Sequence, residues 1–242
     1  MLHQKFLETA KNFSGKTALQ IRQAAGEYRK YTYAQASGLA RSVGFYFIEH
    51  GIQAQDRIAM ILENGPEWPV FYFGILLAGA TAVPIDPHLT EQEISNILAD
   101  SGAKIVINKN TADEILKNLE PLNPDFKFPP IDSDSPASIL YTSGTTAVPK
   151  GVVLTHRNFL GNLNSVSGLK IYNCRDNVLS ILPLHHSYPF MATLVMPLLT
   201  GATVTYVPTL KPEEILSAMK ETGVTILVGV PQLFCYFPQG PA

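Results

Sequence analysis

Cysteine is scarce in this chain. Among 242 residues only Cys174 and Cys235 occur, far apart. That pattern excludes a disulfide framework or a metal knuckle and reads as two reduced thiols in a cytosolic protein. An excess of charge of one sign is missing too: the formal net charge is −2 and the pI about 6.3. A nucleic-acid footprint is therefore not expected, nor is a charged tail. Met1 to Phe13 scatter Lys5, Glu8 and Lys11 among apolar positions and lack the apolar block of a signal peptide. Unbroken apolar spans are lacking as well. Trp68–Ile85 and Ser187–Leu210 hold no Asp, Glu, Lys or Arg and reach spanning length. Both are interrupted by proline and by a Gly-Ala pair, whereas a span favours an unbroken helix. Each reads as a buried helix, a turn and a buried strand, with no transmembrane segment.

What the chain does have is a repeat. From Asp56 it reads DRIAMIL, then an apolar stretch ending LLAGATAVPIDP, then EQEISNILADSGAKIVIN. From Asp176 it reads DNVLSIL, then a stretch ending LLTGATVTYVPT, then EEILSAMKETGVTILVG. Roughly 120 residues separate matching positions, too long a period for a solenoid and suited to two copies of one supersecondary unit. Each copy reads strand, buried helix, strand, amphipathic helix, strand. Ile58–Ile61, Thr81–Ile85 and Lys104–Ile107 are short branched-residue runs of the kind that form buried parallel strands. Thr90 and Glu93 have capping-box spacing, Pro212 suits a first helical turn, and Gly102 and Gly223 suit helix C-termini. Alternating β and α elements call for parallel sheets with helices on both faces. The expected fold is α/β, two related βαβαβ layers with parallel sheets and helices packed between and outside. Ahead of the first copy, a strand near Lys16–Ile21 and a helix near Tyr33–Gly51 are expected. Between the copies, Pro121–Pro136 holds five prolines, three aspartates and two serines, a loop by composition.

After that loop comes a strand signal, Ser138–Tyr141, then Thr142-Ser143-Gly144-Thr145-Thr146-Ala147-Val148-Pro149-Lys150-Gly151, then a second strand, Val152–Leu154. Such a hairpin can turn backbone N–H groups, four hydroxyls and one lysine onto a single anion, with a polyphosphate as the natural target. A Walker A loop is excluded, because a strand rather than a helix follows Lys150. Composition alone leaves an ordinary polar hairpin equally open.

The ordered pattern Tyr141-Thr142-Ser143-Gly144-Thr145-Thr146, with Pro149-Lys150-Gly151, closely resembles the signature of the adenylate-forming superfamily. That superfamily holds acyl- and aryl-CoA ligases, adenylation domains of peptide synthetases and firefly-type luciferases. Ala147 stands where the family usually has glycine; alanine resists positive φ, so altered loop closure is expected there. Leu154-Thr155-His156-Arg157-Asn158 resembles the family's continuation, with Thr155 placed to cap the next helix. The resemblance implies that Thr142, Ser143, Gly144, Thr145, Thr146 and Lys150, with Gly151, hold the phosphates of ATP. Leu182-Pro183-Leu184-His185-His186-Ser187-Tyr188 is similar to a second family signature. It implies that His186 lines the substrate carboxylate and the nucleotide. Taken alone, the His-His pair reads rather as two side chains hydrogen-bonding their neighbours, and no third ligand at suitable spacing makes it a metal site.

The resemblance implies an ATP-dependent ligase that forms an acyl-adenylate and then a thioester, with ATP, Mg²⁺ and coenzyme A taking part. A small-molecule carboxylate, in look a fatty acid, is the implied substrate; Val195, Met196 and Leu199 are candidates to line its tunnel and equally read as plain core, the commoner fate of such residues. It also divides the chain into 1–55, packing on the second subdomain; 56–170, the first subdomain with the loop 141–151; and 171–242, the second. The family's adenine motif, ribose-binding Asp and C-terminal lid with its lysine are not found in the 242 residues. The chain is therefore expected to be an incomplete N-terminal fragment, inactive alone, with self-association through a truncated sheet edge. A cytoplasmic setting, at most peripheral to a membrane, goes with this. Two rival readings stand beside it: a nucleotide- or acyl-binding module without turnover, and a phosphotransferase with an unusual phosphate cradle.

Overall fold

The structure, a computed structural model, describes residues 1–23, 26–120, 122–123, 125–142, 149–169 and 171–231. From the N-terminus, α1 (Leu2–Asn12) leads into β1 (Thr17–Arg22), β2 (Tyr28–Thr32) and α2 (Tyr33–Glu49). The first copy of the repeat follows as β3 (Arg57–Met60), α3 (Glu67–Leu77), β4 (Thr81–Pro84), α4 (Glu91–Ser101) and β5 (Ile105–Ile107). Then come α5 (Lys109–Lys117), β6 (Pro136–Thr142), β7 (Lys150–Thr155) and α6 (His156–Ser167). The second copy is β8 (Asn177–Leu179), α7 (Ser187–Pro189), a π-helical stretch (Phe190–Val195) and α8 (Met196–Thr200), then β9 (Thr203–Tyr206), α9 (Pro212–Thr222) and β10 (Ile226–Leu227).

The strands form two five-stranded sheets, ordered β5-β3-β4-β6-β7 and β10-β8-β9-β1-β2. Pairing is parallel except within the hairpins β6–β7 and β1–β2. The two orders are the same once copies are superposed, so the duplication extends beyond the segments visible in the sequence. Hairpin, helix and βαβαβ unit occur twice, and each hairpin joins the sheet of the other copy: β1 pairs with β9 and β6 with β4. Local chemistry repeats with it. Thr32 and Thr155, each the last residue of a hairpin or the one after it, cap α2 and α6 by accepting from the N–H three residues on.

Packing follows from the patterning. Ten consecutive residues of α3, Trp68 to Leu77, are buried, as expected of a helix that is apolar all round. It lies in one core with α1, α2 and the 190–200 helix, facing Ile58, Met60 and Ala82 of the first sheet and Val204 and Tyr206 of the second. The amphipathic helices cover the outer faces. Ile97 of α4 packs on Ala59 and Val83, and Ile215 and Ala218 of α9 pack on Leu179. The layering is therefore helix, sheet, helices, sheet, helix.

The turns behave as their residues demand. Thr90 and Glu93 form the capping box of α4, and Pro212 opens α9. Gly102 and Gly223 end their helices at φ 60° and 64°. Gly201, in the repeated Gly-Ala pair, has φ 84°, and a Cβ there would meet the Phe13 ring at 2.6 Å; only glycine fits. Among the described residues no helix is long and apolar enough to cross a membrane. Three elements lie outside the sequence reading: α1, β2 and α5. Pro136, taken as the end of the proline-rich loop, is the first residue of β6.

Candidate nucleotide and acyl site

The hydroxyl-rich hairpin rests on a tight strand pair. Tyr141 is opposite Gly151 and Thr142 opposite Lys150, so the ends of the loop lie side by side and both Thr142 and Lys150 are exposed. Ser143, Gly144, Thr145, Thr146 and the divergent Ala147 lie outside the described residues. Gly151 has a steric reason to be glycine: a Cβ there would lie 2.9 Å from Ile139 Cγ2 and 3.1 Å from the Tyr141 ring. The ring instead crosses β7, and the Tyr141 hydroxyl donates to Asp100 Oδ2 of α4 at 2.5 Å. Burial and that carboxylate push the Tyr141 pKa well up, so the hydroxyl keeps its proton and remains a donor at neutral pH. The base of the loop is thereby tied to the outer helix of the first sheet.

A second feature arises from topology. In each sheet the first two strands of the βαβαβ unit are neighbours, and the third returns on the far side of the first. The carboxyl ends of β3/β4 and of β8/β9 are therefore switch points, where ligands bind in open α/β sheets. The loops after all four strands line one crevice of about 610 Å³, whose polar groups include Asn64, Asp86, His88, His185 and His186. His88 Nδ1 lies 3.1 Å from Asp86 Oδ1, and His185 Nε2 lies 3.5 Å from Asp86 Oδ2. Burial lowers the His185 pKa and outweighs the attraction of Asp86. The imidazole is then neutral at physiological pH, and its contact with Asp86 is not an ion pair. His185 Nε2 has no hydrogen-bond partner among the described residues. His186 is exposed, its ring edge-to-face with that of half-buried His185 at 4.3 Å.

The third feature is an apolar cavity of about 750 Å³ between α6, the π-helical stretch and the end of β10. Phe159, Val166, Ile171, Met191 and Met196 are among its walls. The helix departs from α geometry just ahead of Pro197, which has no N–H for the carbonyl four residues back. That extra bulge turns Met191 and Ala192 onto the cavity. Of the three side chains expected to line a tunnel, Met196 does. Val195 and Leu199 pack in the central core instead. The cavity and the crevice adjoin at two consecutive residues: His186 lines the crevice and Ser187 the cavity. Leu154, four residues beyond Lys150 on β7, is on the cavity wall too.

Sequence reasoning missed Asn64 and Asp86. The available signal was position: each follows the end of an apolar strand run, where parallel strands deliver functional side chains. Among the described residues no group of three or more His, Cys, Asp and Glu could hold a metal ion.

The chain resembles several known proteins in sequence and fold. 4-Coumarate–CoA ligase 3 of Arabidopsis thaliana is 29% identical over 270 residues, covering 99% of this chain and 48% of that protein. Long-chain-fatty-acid–CoA ligase FadD13 of Mycobacterium tuberculosis is 29% identical over 235 residues, covering 88% and 46%. The chain thus spans about half the length of these curated relatives. Among solved structures, the N-terminal domain of FACL13 from Mycobacterium tuberculosis superposes with a TM-score of 0.87 at 26% identity, over 99% of this chain and 65% of that one. A family profile described as AMP-binding enzyme matches residues 6–241. The chain belongs to the AMP-binding enzyme family.

Proposed function

We infer that this chain carries the phosphate- and acyl-binding half of an ATP-dependent carboxylate-activating ligase that forms an acyl-adenylate and passes the acyl group to coenzyme A. The observation that carries this is the junction at His186–Ser187, where an apolar cavity sized for a small molecule meets a polar crevice. A carboxylate tail in the cavity brings its head group to that junction. His186 then faces the reacting carboxylate. Thr142, Ser143, Gly144, Thr145, Thr146 and Lys150, with Gly151 at the strand start, grip the β- and γ-phosphates and steady the departing pyrophosphate. Bringing two anions together is the hard part of the step, and it is met by positioning and by fixed positive charge. Mg²⁺ accompanies ATP in this reading as the ion that would offset phosphate charge.

The apolar walls favour a fatty acid over a polar amino acid as the substrate. Ile171 and Tyr188 line the cavity and are 50% and 58% exposed, and neighbouring Leu169 is 68% exposed. This apolar rim suits delivery of an acyl chain from a membrane surface to a cytoplasmic enzyme. The division into 1–55, 56–170 and 171–242 serves this reading, the first part completing the second sheet.

The test is carboxylate-dependent exchange of pyrophosphate with ATP by the complete gene product, with fatty acids of graded length beside aromatic and amino acids. Exchange with fatty acids, lowered about 10²-fold by Lys150→Ala, is the expected result. The 242-residue polypeptide by itself is expected to release no pyrophosphate with any carboxylate, because adenine and ribose lack their family partners in these residues and the family's lid lysine is not among them. Nucleotide binding without exchange in the complete product would identify a binding module instead.

A further inference from the structure

We propose that Asn64 is a positioning residue for His186, acting through the backbone of the loop that carries it; this rests on the role given to His186 above. Asn64 sits in the loop after β3 of the first sheet, and His186 in the loop after β8 of the second. The two loops face each other across the crevice. The Asn64 side chain spans the gap. Its Nδ2 donates to the Leu182 carbonyl at 2.8 Å, and its Oδ1 accepts from the Leu184 N–H at 3.1 Å. One amide thus serves the segment as a neighbouring strand would, donating and accepting to residues two apart.

The residue type follows from that task. A primary amide presents a donor and an acceptor on one planar group, as a peptide does. Aspartate has the same shape but turns the donor into a second acceptor facing the Leu182 carbonyl. Leucine of similar size offers neither, and glutamine is one methylene too long. His186 has backbone bonds of its own, its N–H donating to the Pro183 carbonyl at 3.3 Å and its carbonyl accepting from the Phe190 N–H at 3.1 Å, but neither reaches the Leu182 carbonyl or the Leu184 N–H. Pro183 cannot donate, and the Leu184 N–H would be a buried orphan without Asn64, at a residue 1% exposed. A second contact comes from the same sheet, where Asp86 after β4 meets His185. Leu182 and Leu184 therefore belong to the second sheet by sequence and are clamped by a loop of the first.

The consequence is functional rather than merely architectural. His186 stands two residues from the clamped Leu184 N–H, and a displacement of about 1 Å at a reacting centre costs on the order of 10²-fold in rate. Asn64→Ala in the complete gene product is expected to slow carboxylate-dependent ATP–pyrophosphate exchange about 10²-fold. Asn64→Asp, which keeps shape and volume, is expected to behave likewise and covers the case in which the alanine variant folds poorly. The decisive comparison is a double-mutant cycle with His186→Ala. If Asn64 works through His186, its effect disappears in that background. An equal fold-loss in both backgrounds, or no loss at all, overturns the proposal.

Hydrogen exchange of the Leu184 amide in the unliganded protein gives a readout independent of activity. It is expected to speed up in both Asn64 variants, and an unchanged rate overturns the clamp itself. Should His186→Ala leave exchange of pyrophosphate untouched, the assignment of His186 fails and this inference falls with it. Faster Leu184 amide exchange would then show that the clamp exists without the catalytic role.

Discussion

Gly151 shows how one side chain, or the lack of one, sets the base of the hydroxyl-rich loop. The Tyr141 ring crosses the neighbouring strand closer than van der Waals contact to where a Cβ would be, and its hydroxyl is anchored on Asp100. A β-branched residue there has nowhere to go, because the nearest atoms belong to Ile139 and to a ring pinned at its far end. Gly151→Val is expected to destabilise the chain by about 1–3 kcal/mol through overpacking. The urea midpoint checks this, with Tyr141→Ala in the same background restoring part of the loss. The sequence pattern marks Gly151 as part of the motif, but the steric reason is invisible until strand register places it opposite Tyr141. The same holds for Asn64, which looks like any polar loop residue until the second sheet arrives beside it.

Elements were legible where burial imposes a period, and illegible where partners lie far along the chain. The strands of the repeat and the buried helix α3 stand out because both faces are covered and the residues are apolar throughout. β2 reads Tyr-Arg-Lys-Tyr-Thr, an outermost strand whose charges face solvent, so nothing in its own sequence marks it. Helix α1 was missed for a different reason. Its buried side, Leu2, Phe6 and Ala10, is interrupted by His3 and Thr9, polar residues that are buried all the same.

His3 bears on stability. It lies 5% exposed, its ring 5.5 Å from that of His156, the first residue of α6, which is 1% exposed. Burial, then the neighbouring His156, pulls His3 down to about 3, and burial pulls His156 down to about 4. Both are neutral when folded, whereas the unfolded chain takes up protons near pH 6.5. The unfolded state therefore binds more protons between pH 6.5 and those lowered values. Stability is fully present above pH 6.5 and is lost as pH falls toward about 4 and then about 3, on the order of 1 kcal/mol per pH unit per histidine. His3→Leu also removes a buried Nδ1 without a hydrogen-bond partner among the described residues. Its thermal midpoint is expected to fall less than that of the parent between pH 6.5 and 4. Parallel curves for the two proteins would show that the histidine pair does not govern the acid limb.

At the scale of the molecule, exchange of hairpins between the two copies makes each sheet depend on both halves of the chain and leaves four outer strands. They are not equally guarded. β2 carries Arg29 and Lys30, and β5 is three residues long; charge and shortness both protect an edge. β7 is six residues long with Val152 and Val153 45% and 53% exposed. β10 pairs with β8 alone among the described residues, and Val230 shortly after it is 38% exposed. Unpaired backbone beside exposed branched side chains is a template for another chain. The 242-residue polypeptide is therefore expected to self-associate, eluting on size exclusion ahead of a 26.5 kDa monomer. Val153→Lys and Val230→Lys place a charge at each edge in turn. The variant that returns the chain to monomer identifies the strand responsible, and a parent chain that runs as a clean monomer at high concentration removes the expectation altogether.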